Sequence, residues 1–126
     1  MAIYHLSAKV ISRAGGRSSV AAAAYRTAGR LRDDRQGLEH DYSRKGGVVH
    51  AEIMAPENAP DWMRDRDQLW NAIEAVEKRR DAQLAREIEV ALPRELDRGA
   101  RLELLRGFVG REFVDRGMIA DVAVHE

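Results

Sequence analysis

The chain has 126 residues, no cysteine, and 21 basic and 21 acidic side chains that give a formal net charge of zero. This length suits one domain with its own hydrophobic core, and the lack of cysteine excludes disulfides, a thiol nucleophile and a cysteine-based zinc site. No apolar run approaches the roughly 18 residues of a membrane span. Lys9 and Arg13 interrupt any signal-peptide core, so we expect no membrane segment and a cytoplasmic protein.

Positive charge is concentrated at the start of the chain. The first 32 residues contain no acidic side chain and six basic ones, which are Lys9, Arg13, Arg17, Arg26, Arg30 and Arg32. Clustered basic side chains can neutralise nucleic-acid phosphates. We therefore interpret a set of them as candidate DNA contacts, namely Lys9, Arg13, Arg17, Arg26 and Arg30. The alternative is an ordinary solvated surface.

The predicted elements begin with a strand. Residues 2–11 alternate with period 2, which predicts that one face is buried. The apolar face comprises Tyr4, Leu6, Ala8 and Val10, and the polar face comprises His5, Ser7 and Lys9. A helix follows, capped by Ser18 or Ser19, and runs through an alanine run to Ala28, with Gly29 as its stop.

The remaining three quarters of the chain predict alternating strands and helices. Residues 33–47 are polar and rich in glycine, which indicates a loop or a loose hairpin. The later elements are predicted as a strand over 48–54, a long helix over 61–85, a strand over 86–92, a helix over 97–116 and a strand over 118–125. This order predicts an α+β fold in which helices cover one face of a sheet and the other face carries polar residues.

Tyr25 is the candidate nucleophile. On the predicted helix its neighbours one turn away are all small, so another chain could approach its ring. A phenol with its ordinary pKa near 10 is a weak nucleophile that needs a base, a cation or a metal ion to activate it. Arg26 and Arg30 could hold phosphate oxygens beside it. A tyrosine packed in the core is the alternative.

Two carboxylates and a histidine form a second set of candidates. Glu87 and Glu89 lie on one face of a predicted strand, where they could orient metal-ligating histidines or assist a cation. A solvated strand face is the alternative. His125 shares a predicted strand face with Asp121, which makes it either a candidate metal ligand or a lone surface histidine.

Three blocks of sequence, in order, carry a family resemblance. The first is AIYHLSAK, SRAGGRS and the alanine-rich helix up to Tyr25; the second is REIEVALPREL over 86–96; the third is VAVH over 122–125. Together they resemble the MobA/MobL relaxases, the MobQ class of conjugative and mobilization nickases that includes TraA-like proteins. The resemblance covers essentially the whole chain and is least distinctive over 33–80.

The resemblance implies a fold and a chemistry. The fold is that of the HUH-endonuclease relaxases, an antiparallel sheet with helices packed on one face. Tyr25 would attack a scissile phosphate at a plasmid origin of transfer, leaving a 3′-OH and a 5′-phosphotyrosine. Glu87 and Glu89 would line the site, and His125 would be the first of three histidines that bind a divalent cation, Mg²⁺ or Mn²⁺. The implied partners are single-stranded origin DNA and accessory relaxosome proteins, in the bacterial cytoplasm.

The sequence departs from the family pattern at one point. The His-hydrophobe-His pair that follows the His125 position in the family is not in these 126 residues. We therefore expect a single relaxase domain over 1–126 that is C-terminally truncated, lacks the His-x-His strand and holds an incomplete metal site. Two hypotheses follow, a nicking enzyme or a non-catalytic fragment that binds single-stranded origin DNA.

Overall fold

The computed structural model describes residues 6–126, which form six strands and three α-helices. The strands are β1 (Leu6–Ser12), β2 (Arg30–Asp33), β3 (Leu38–Asp41), β4 (Val48–Met54), β5 (Gln83–Val90) and β6 (Ala120–His125). The helices are α1 (Ser19–Thr27), α2 (Arg66–Val76) and α3 (Arg98–Glu112). No helix in this range has the length and apolar character needed to cross a membrane.

The predicted α+β class with antiparallel strands is confirmed. The strands pair as three two-stranded antiparallel ribbons, β1 with β5, β2 with β3 and β4 with β6. In the first ribbon Lys9 lies opposite Glu87, and Ser7 lies opposite Glu89. Opposite residues of an antiparallel pair share a face, so the two glutamates lie on the same side of the ribbon as Lys9.

Two small hydrophobic clusters hold the helices against the ribbons. The first joins β1 and β5 to α1 and α2, and its members include Ile11, Leu84, Ala82, Ala22 and Ile73. The second joins α3 to β6 and includes Leu105, Val109 and Val122. Burying an aliphatic side chain contributes about 1.5–3 kcal/mol. The first cluster thus fixes α1 next to the ribbon that carries the two glutamates.

The prediction for the buried face of β1 was wrong. Leu6 is 57% exposed and Val10 is also exposed, whereas Ile11 is only 2% exposed. Alternation places Lys9 on the same face as Ile11, and Glu87 neutralises it there at 3.4 Å. A period of 2 shows that the two faces differ, but not which one the helices cover. Tyr4 and His5 lie outside the described residues.

The long helix predicted over 61–85 is shorter than expected at both ends. A turn of 3-10 helix (Asp61–Arg64) comes first, and α2 begins after Asp65, whose side chain caps it by accepting a backbone N–H of the first turn. The helix ends at Val76 because the five charged residues over 77–81 have no apolar side chain to bury. Leu84, predicted on the helix, lies in β5 and is buried.

Other boundaries move by a few residues. α1 ends at Thr27, and Ala28 rather than Gly29 takes the left-handed conformation, with φ of 54°. The 33–47 segment contains the turn and second strand of the β2–β3 hairpin. β5 spans Gln83–Val90 instead of 86–92, α3 ends at Glu112, and β6 begins at Ala120. The order of elements agrees with the prediction, and of the loop or loose hairpin predicted over 33–47 the hairpin is present, with its first strand beginning earlier, at Arg30.

Candidate functional site

Glu74 of α2 anchors the N-terminus of α1. Its Oε2 accepts hydrogen bonds from the Ser19 N–H at 2.8 Å and the Ser19 hydroxyl at 2.7 Å. Its Oε1 accepts from Arg13 at 3.1 Å and from Arg35 at 2.8 Å. The Arg13 guanidinium also donates to backbone carbonyls at and just beyond the end of α2. One buried carboxylate therefore joins the turn that follows β1, the N-terminus of α1, α2 and the β2–β3 turn.

Asp33 is a second buried carboxylate at the same helix end. Its Oδ2 accepts a 2.5 Å hydrogen bond from the Ser18 hydroxyl, and Ser18 is the N-cap of α1. The Gln36 N–H donates to Oδ1 at 3.2 Å, and the Nε2 atom of His40 lies 3.4 Å from Oδ2. Two negative charges thus lie at the positive end of the helix dipole, where they stabilise the helix.

Both carboxylates stay ionised despite their burial. Burial alone raises the pKa of Glu74, but hydrogen bonds from Ser19, Arg35 and Arg13 outweigh it and hold the pKa below its ordinary value of 4.5. For Asp33, burial is again opposed by hydrogen bonds, chiefly from Ser18, and the pKa lies below its ordinary value of 3.8. The N-terminal end of α1 is therefore a charged part of the interior in which both carboxylates are hydrogen-bonded.

Tyr25 lies at the opposite end of α1, where it is 55% exposed. It is therefore not the core tyrosine of the alternative interpretation. Lys45 Nζ lies 3.7 Å from the centroid of the Tyr25 ring and donates to the Tyr25 carbonyl at 3.0 Å. The ring of Tyr42 meets the Tyr25 ring edge-on, with centroids 5.3 Å apart. Within residues 6–126 the Tyr25 hydroxyl accepts and donates no hydrogen bond.

His125 reaches the same end of α1. Its Nε2 atom lies 2.7 Å from the carbonyl oxygen of Arg26, the residue after Tyr25. A carbonyl only accepts, so Nε2 carries the proton and Nδ1 is left with its lone pair. Metal-ligating histidines are commonly oriented by such a bond to a backbone carbonyl. The arrangement suits Nδ1 either to bind a cation or to accept a proton.

Asp121 fixes the base of this site. Its buried carboxylate accepts from Arg26 at 2.9 Å, from Arg66 at 2.9 Å and from the Trp70 indole N–H at 2.8 Å. Arg26 also stacks over the Trp70 ring, 5.9 Å from its centroid. β6 is thereby tied to α1 and α2. Strand alternation places Asp121 on the same face of β6 as His125, as predicted. Both residues contact Arg26 in the last turn of α1.

The basic cluster of the first 32 residues is neutralised by the fold. Each of its six members lies within ion-pairing distance of an acid from later in the chain. These pairs are Lys9–Glu87 at 3.4 Å, Arg13–Glu74 at 3.1 Å, Arg17–Glu87 at 3.8 Å, Arg26–Asp121 at 2.9 Å, Arg30–Glu39 at 2.8 Å and Arg32–Asp34 at 3.7 Å. Tertiary contacts therefore remove most of the local positive excess.

The five candidate DNA contacts divide by exposure. The Arg13 and Arg26 side chains are 13% and 20% exposed and hold the interior together. Lys9, Arg17 and Arg30 remain exposed and make only surface ion pairs, which are weak. A DNA role for any of the five stays a prediction, and the contacts favour it only for the exposed three.

Glu87 and Glu89 share a face as predicted, but their surroundings differ. Glu87 is half-buried between Lys9 and Arg17, at 3.4 and 3.8 Å. Glu89 is exposed opposite Ser7. Glu87 is thus a structural counter-ion in this arrangement, and a place for either residue in the reaction stays a prediction.

The described residues do not assemble a metal centre. Within 6–126 no three His, Asp or Glu side chains are arranged to hold an ion. His40 is engaged with Asp33, and His50 lies 2.6 Å from Glu52. His5 lies outside the described residues. Among the described residues the donor set near Tyr25 is therefore a single oriented imidazole.

Sequence reasoning missed several residues around α1. Glu74 and Asp33 were not singled out, and Asp121 was noted only as sharing a strand face with His125. Tyr42 and Lys45 lay in the segment predicted as a loop or a loose hairpin. The one available signal was the presence of an aromatic and two basic residues, YSRK over 42–45, in an otherwise polar segment. Such a mixture is typical of single-strand nucleic-acid binding surfaces.

Comparison with known proteins gives a consistent result. The profile of the MobA/MobL family matches residues 17–126. The chain is 52% identical, over 126 residues and 99% of its length, to the mobilization protein MobL of Acidithiobacillus ferridurans. It is 42% identical, over 136 residues and its full length, to the conjugal transfer protein TraA of Agrobacterium fabrum.

A solved structure has the same fold. It comes from work on the "Molecular Basis of Vancomycin Resistance Transfer in Staphylococcus aureus" and superposes with a TM-score of 0.93 at 38% sequence identity. The match covers 99% of this chain and 63% of that one. The chain spans 32% of the length of the MobL relative and 12% of the TraA relative.

Proposed function

The chain belongs to the MobA/MobL family, and we propose on that premise that it is the nicking region of a DNA relaxase. In this proposal it cleaves one strand at a plasmid origin of transfer during conjugation or mobilization. The observation that carries the proposal is the half-exposed Tyr25 ring, whose helix end is also contacted by His125 and Lys45.

The proposed step is a transesterification. The Tyr25 oxygen forms a bond to the scissile phosphorus while the bond from phosphorus to the 3′-oxygen breaks. The phenol gives up its proton and the departing 3′-oxygen gains one, so that the products are a 3′-OH and a 5′-phosphotyrosine. A covalent intermediate of this kind keeps the phosphodiester bond energy available for later rejoining.

The residues around Tyr25 support this step in defined ways. Asp121 holds Arg26 and keeps the last turn of α1 in place. Lys45, with no carboxylate partner among residues 6–126, supplies a positive charge over the Tyr25 ring. That charge can attract the phosphate that approaches Tyr25.

A divalent cation is part of the proposal. His125 Nδ1 is the atom that would bind Mg²⁺ or Mn²⁺, with Arg26 O orienting the ring from the other side. The cation would polarise the phosphate when bound. The partners are single-stranded origin DNA and accessory relaxosome proteins, and the exposed Lys9, Arg17 and Arg30 would contact the DNA backbone.

The test is capture of the covalent intermediate. Single-stranded oligonucleotides that tile the DNA next to the chain's own gene carry a fluorophore at the 3′ end, because the proposed bond is to the 5′ end of the downstream fragment. They are incubated with the chain and Mg²⁺ or Mn²⁺. We expect a labelled adduct that survives denaturing electrophoresis and is absent with Tyr25→Phe.

Peptide mapping is the matched control. Trypsin places the three tyrosines in different peptides, because Lys9, Arg17, Arg26, Arg35 and Arg44 separate them. The label should be on the peptide that ends at Arg26. An adduct on another tyrosine, or none on any oligonucleotide, would overturn the proposed nucleophile.

A non-catalytic single-strand binding role is the second candidate. It is favoured by one observation, that residues 6–126 do not gather three metal-ligating side chains. It predicts salt-sensitive binding of the same oligonucleotides without any adduct. Fluorescence anisotropy at increasing salt, run beside the adduct assay, separates the two roles.

A further inference from the structure

The segment 42–47, which follows β3, contacts Tyr25 on two sides. Lys45 Nζ covers one face of the ring at 3.7 Å from its centroid. The Tyr42 ring stands at 87° to the Tyr25 ring and meets it edge to face. The same Lys45 ammonium donates to the Tyr25 carbonyl at 3.0 Å, so one side chain contacts both the ring and the backbone of Tyr25.

The segment is itself tied to the elements of the site. The Tyr42 N–H donates to the Gly29 carbonyl at 2.8 Å, just beyond the end of α1. The Lys45 N–H donates to the Tyr42 carbonyl at 2.9 Å, which closes a turn. At the far end the Gly47 carbonyl accepts from the Glu126 N–H at 2.8 Å, next to His125. Both ends of the segment are thus bonded to parts of the chain that flank Tyr25.

The helix alone does not hold the Tyr25 side chain. Residues one turn away are Ala21, Ala22, Ala28 and Gly29, and none has a side chain long enough to restrict the ring. An exposed tyrosine with such neighbours can exchange between rotamers. The contacts from Lys45 and Tyr42 are therefore the ones that select its position.

We propose that segment 42–47 is a clamp that sets the rotamer of Tyr25, with Lys45 and Tyr42 as positioning residues. The effect on DNA cleavage rests on the proposed function, but the clamp itself does not. Lys45 differs from the six basic residues of the first 32 because no carboxylate in the described part of the chain neutralises it. Its charge stays available to the phosphate that approaches Tyr25.

The first test needs no DNA. A proton above an aromatic face is shifted upfield by the ring current, so the ε-methylene protons of Lys45 should resonate upfield of exposed lysines. The shift should disappear in Tyr25→Leu and persist in Arg44→Met, which removes a neighbouring exposed charge. Ordinary lysine shifts in the unmodified chain would overturn the clamp.

The second test separates positioning from charge. Single-turnover adduct formation is measured at saturating oligonucleotide, with binding measured separately by anisotropy. Lys45→Met should slow the single-turnover rate by about 10-fold or more, as expected for a misplaced nucleophile. Lys78→Met removes the same charge at an exposed position outside segment 42–47 and should leave the saturated rate within about 2-fold, because a distant surface charge does not position the nucleophile. Lys45→Arg, which keeps a cation over the ring, should restore most of the rate.

Failure of the clamp and failure of the proposed function would give different results in these tests. Equal slowing by Lys45→Met and Lys78→Met would overturn the positioning role, as would a saturated rate that Lys45→Met leaves unchanged. If the unmodified chain forms no adduct, the proposed function fails and the ring-current shift alone decides the clamp. A circular-dichroism spectrum of each variant confirms that it folds.

Discussion

The two ends of α1 lie only two helical turns apart but have opposite surroundings. At the N-terminal end, Glu74 and Asp33 are buried and accept hydrogen bonds from Ser18, Ser19 and Arg13. At the C-terminal end, the Tyr25 ring is half-exposed and its hydroxyl is open. The first end holds the fold together, and the second presents the exposed tyrosine that we propose as the nucleophile.

The difference shows how a nine-residue helix can serve both purposes. Buried ion pairs are costly to break but add little net stability, so their value at the N-terminal end is to fix position. A helix anchored at one end can leave the other end lightly packed. We expect substitutions at the two ends to affect different measurements.

Tyr25→Phe gives the largest expected effect and acts on the C-terminal end alone. Removing the nucleophile should lower adduct formation by at least about 10³-fold. The free energy of unfolding should change by no more than about 0.5 kcal/mol, because the hydroxyl is exposed and unbonded. The adduct assay and urea unfolding measure the two quantities. Substantial destabilisation would contradict the division between the two ends.

Glu74→Gln tests the N-terminal end. It leaves Arg13 and Arg35 without their carboxylate, so the free energy of unfolding should fall by about 3–5 kcal/mol. Urea unfolding followed by circular dichroism measures it. Glu77→Gln is the matched control, since Glu77 is exposed three residues later, and it should cost less than about 0.5 kcal/mol. A similar loss of unfolding free energy in both variants would contradict a stabilising role for the buried hydrogen bonds of Glu74.

Acid should weaken the same end. The pKa values of Glu74 and Asp33 are lowered in the folded state, so the unfolded state binds protons first as the pH falls. Their contribution to stability is present above the ordinary values of 4.5 and 3.8 and is lost as the pH falls through the lower folded values. Urea unfolding between pH 3 and about 7 should show a decline below about pH 4.5 that is shallower in Glu74→Gln. A decline of unchanged steepness in that variant would exclude Glu74 as a source.

Ala28→Gly gives the smallest expected change in the free energy of unfolding. It tests whether the left-handed backbone at the C-terminal end of α1 is strained. Ala28 adopts a φ of 54°, a conformation that costs an alanine about 1–2 kcal/mol. Glycine removes this cost but loses more entropy on folding, so we expect a net gain of about 0.5–1 kcal/mol. Ala21→Gly, in the helical part of α1, should instead destabilise by about 1 kcal/mol. Thermal unfolding of both variants provides the comparison.

Much of the fold could be predicted from local pattern. The serine caps and alanine run predicted α1 to within a residue of its end, and the helix predicted over 97–116 contains α3. One error had a local cause, because the cap at Asp65 and the charged residues over 77–81 bound α2 inside the longer stretch that its apolar spacing predicted. Another had a tertiary cause. The covered face of β1 depended on where α1 and α2 pack.

Sequence pattern made Tyr25 and His125 candidates, each with an alternative left open, and the family resemblance supplied their roles, which stay predictions. The structure places both at the C-terminal end of α1, but their surroundings could not be predicted. Lys45 and Tyr42 belong to a segment without periodicity, so no sequence pattern could place them against Tyr25. The basic cluster was visible, but the acids that neutralise it lie up to 95 residues away in sequence.

The sequence by itself determined the α+β class, the helix that carries Tyr25 and the family to which the chain belongs, because these depend on residues close together in the chain. Only the tertiary structure decided which of the basic residues are buried counter-ions, and which side chains surround the tyrosine. The physical reason is that an ion pair or a ring contact depends on distances in space, and those distances are set by how the ribbons and helices pack.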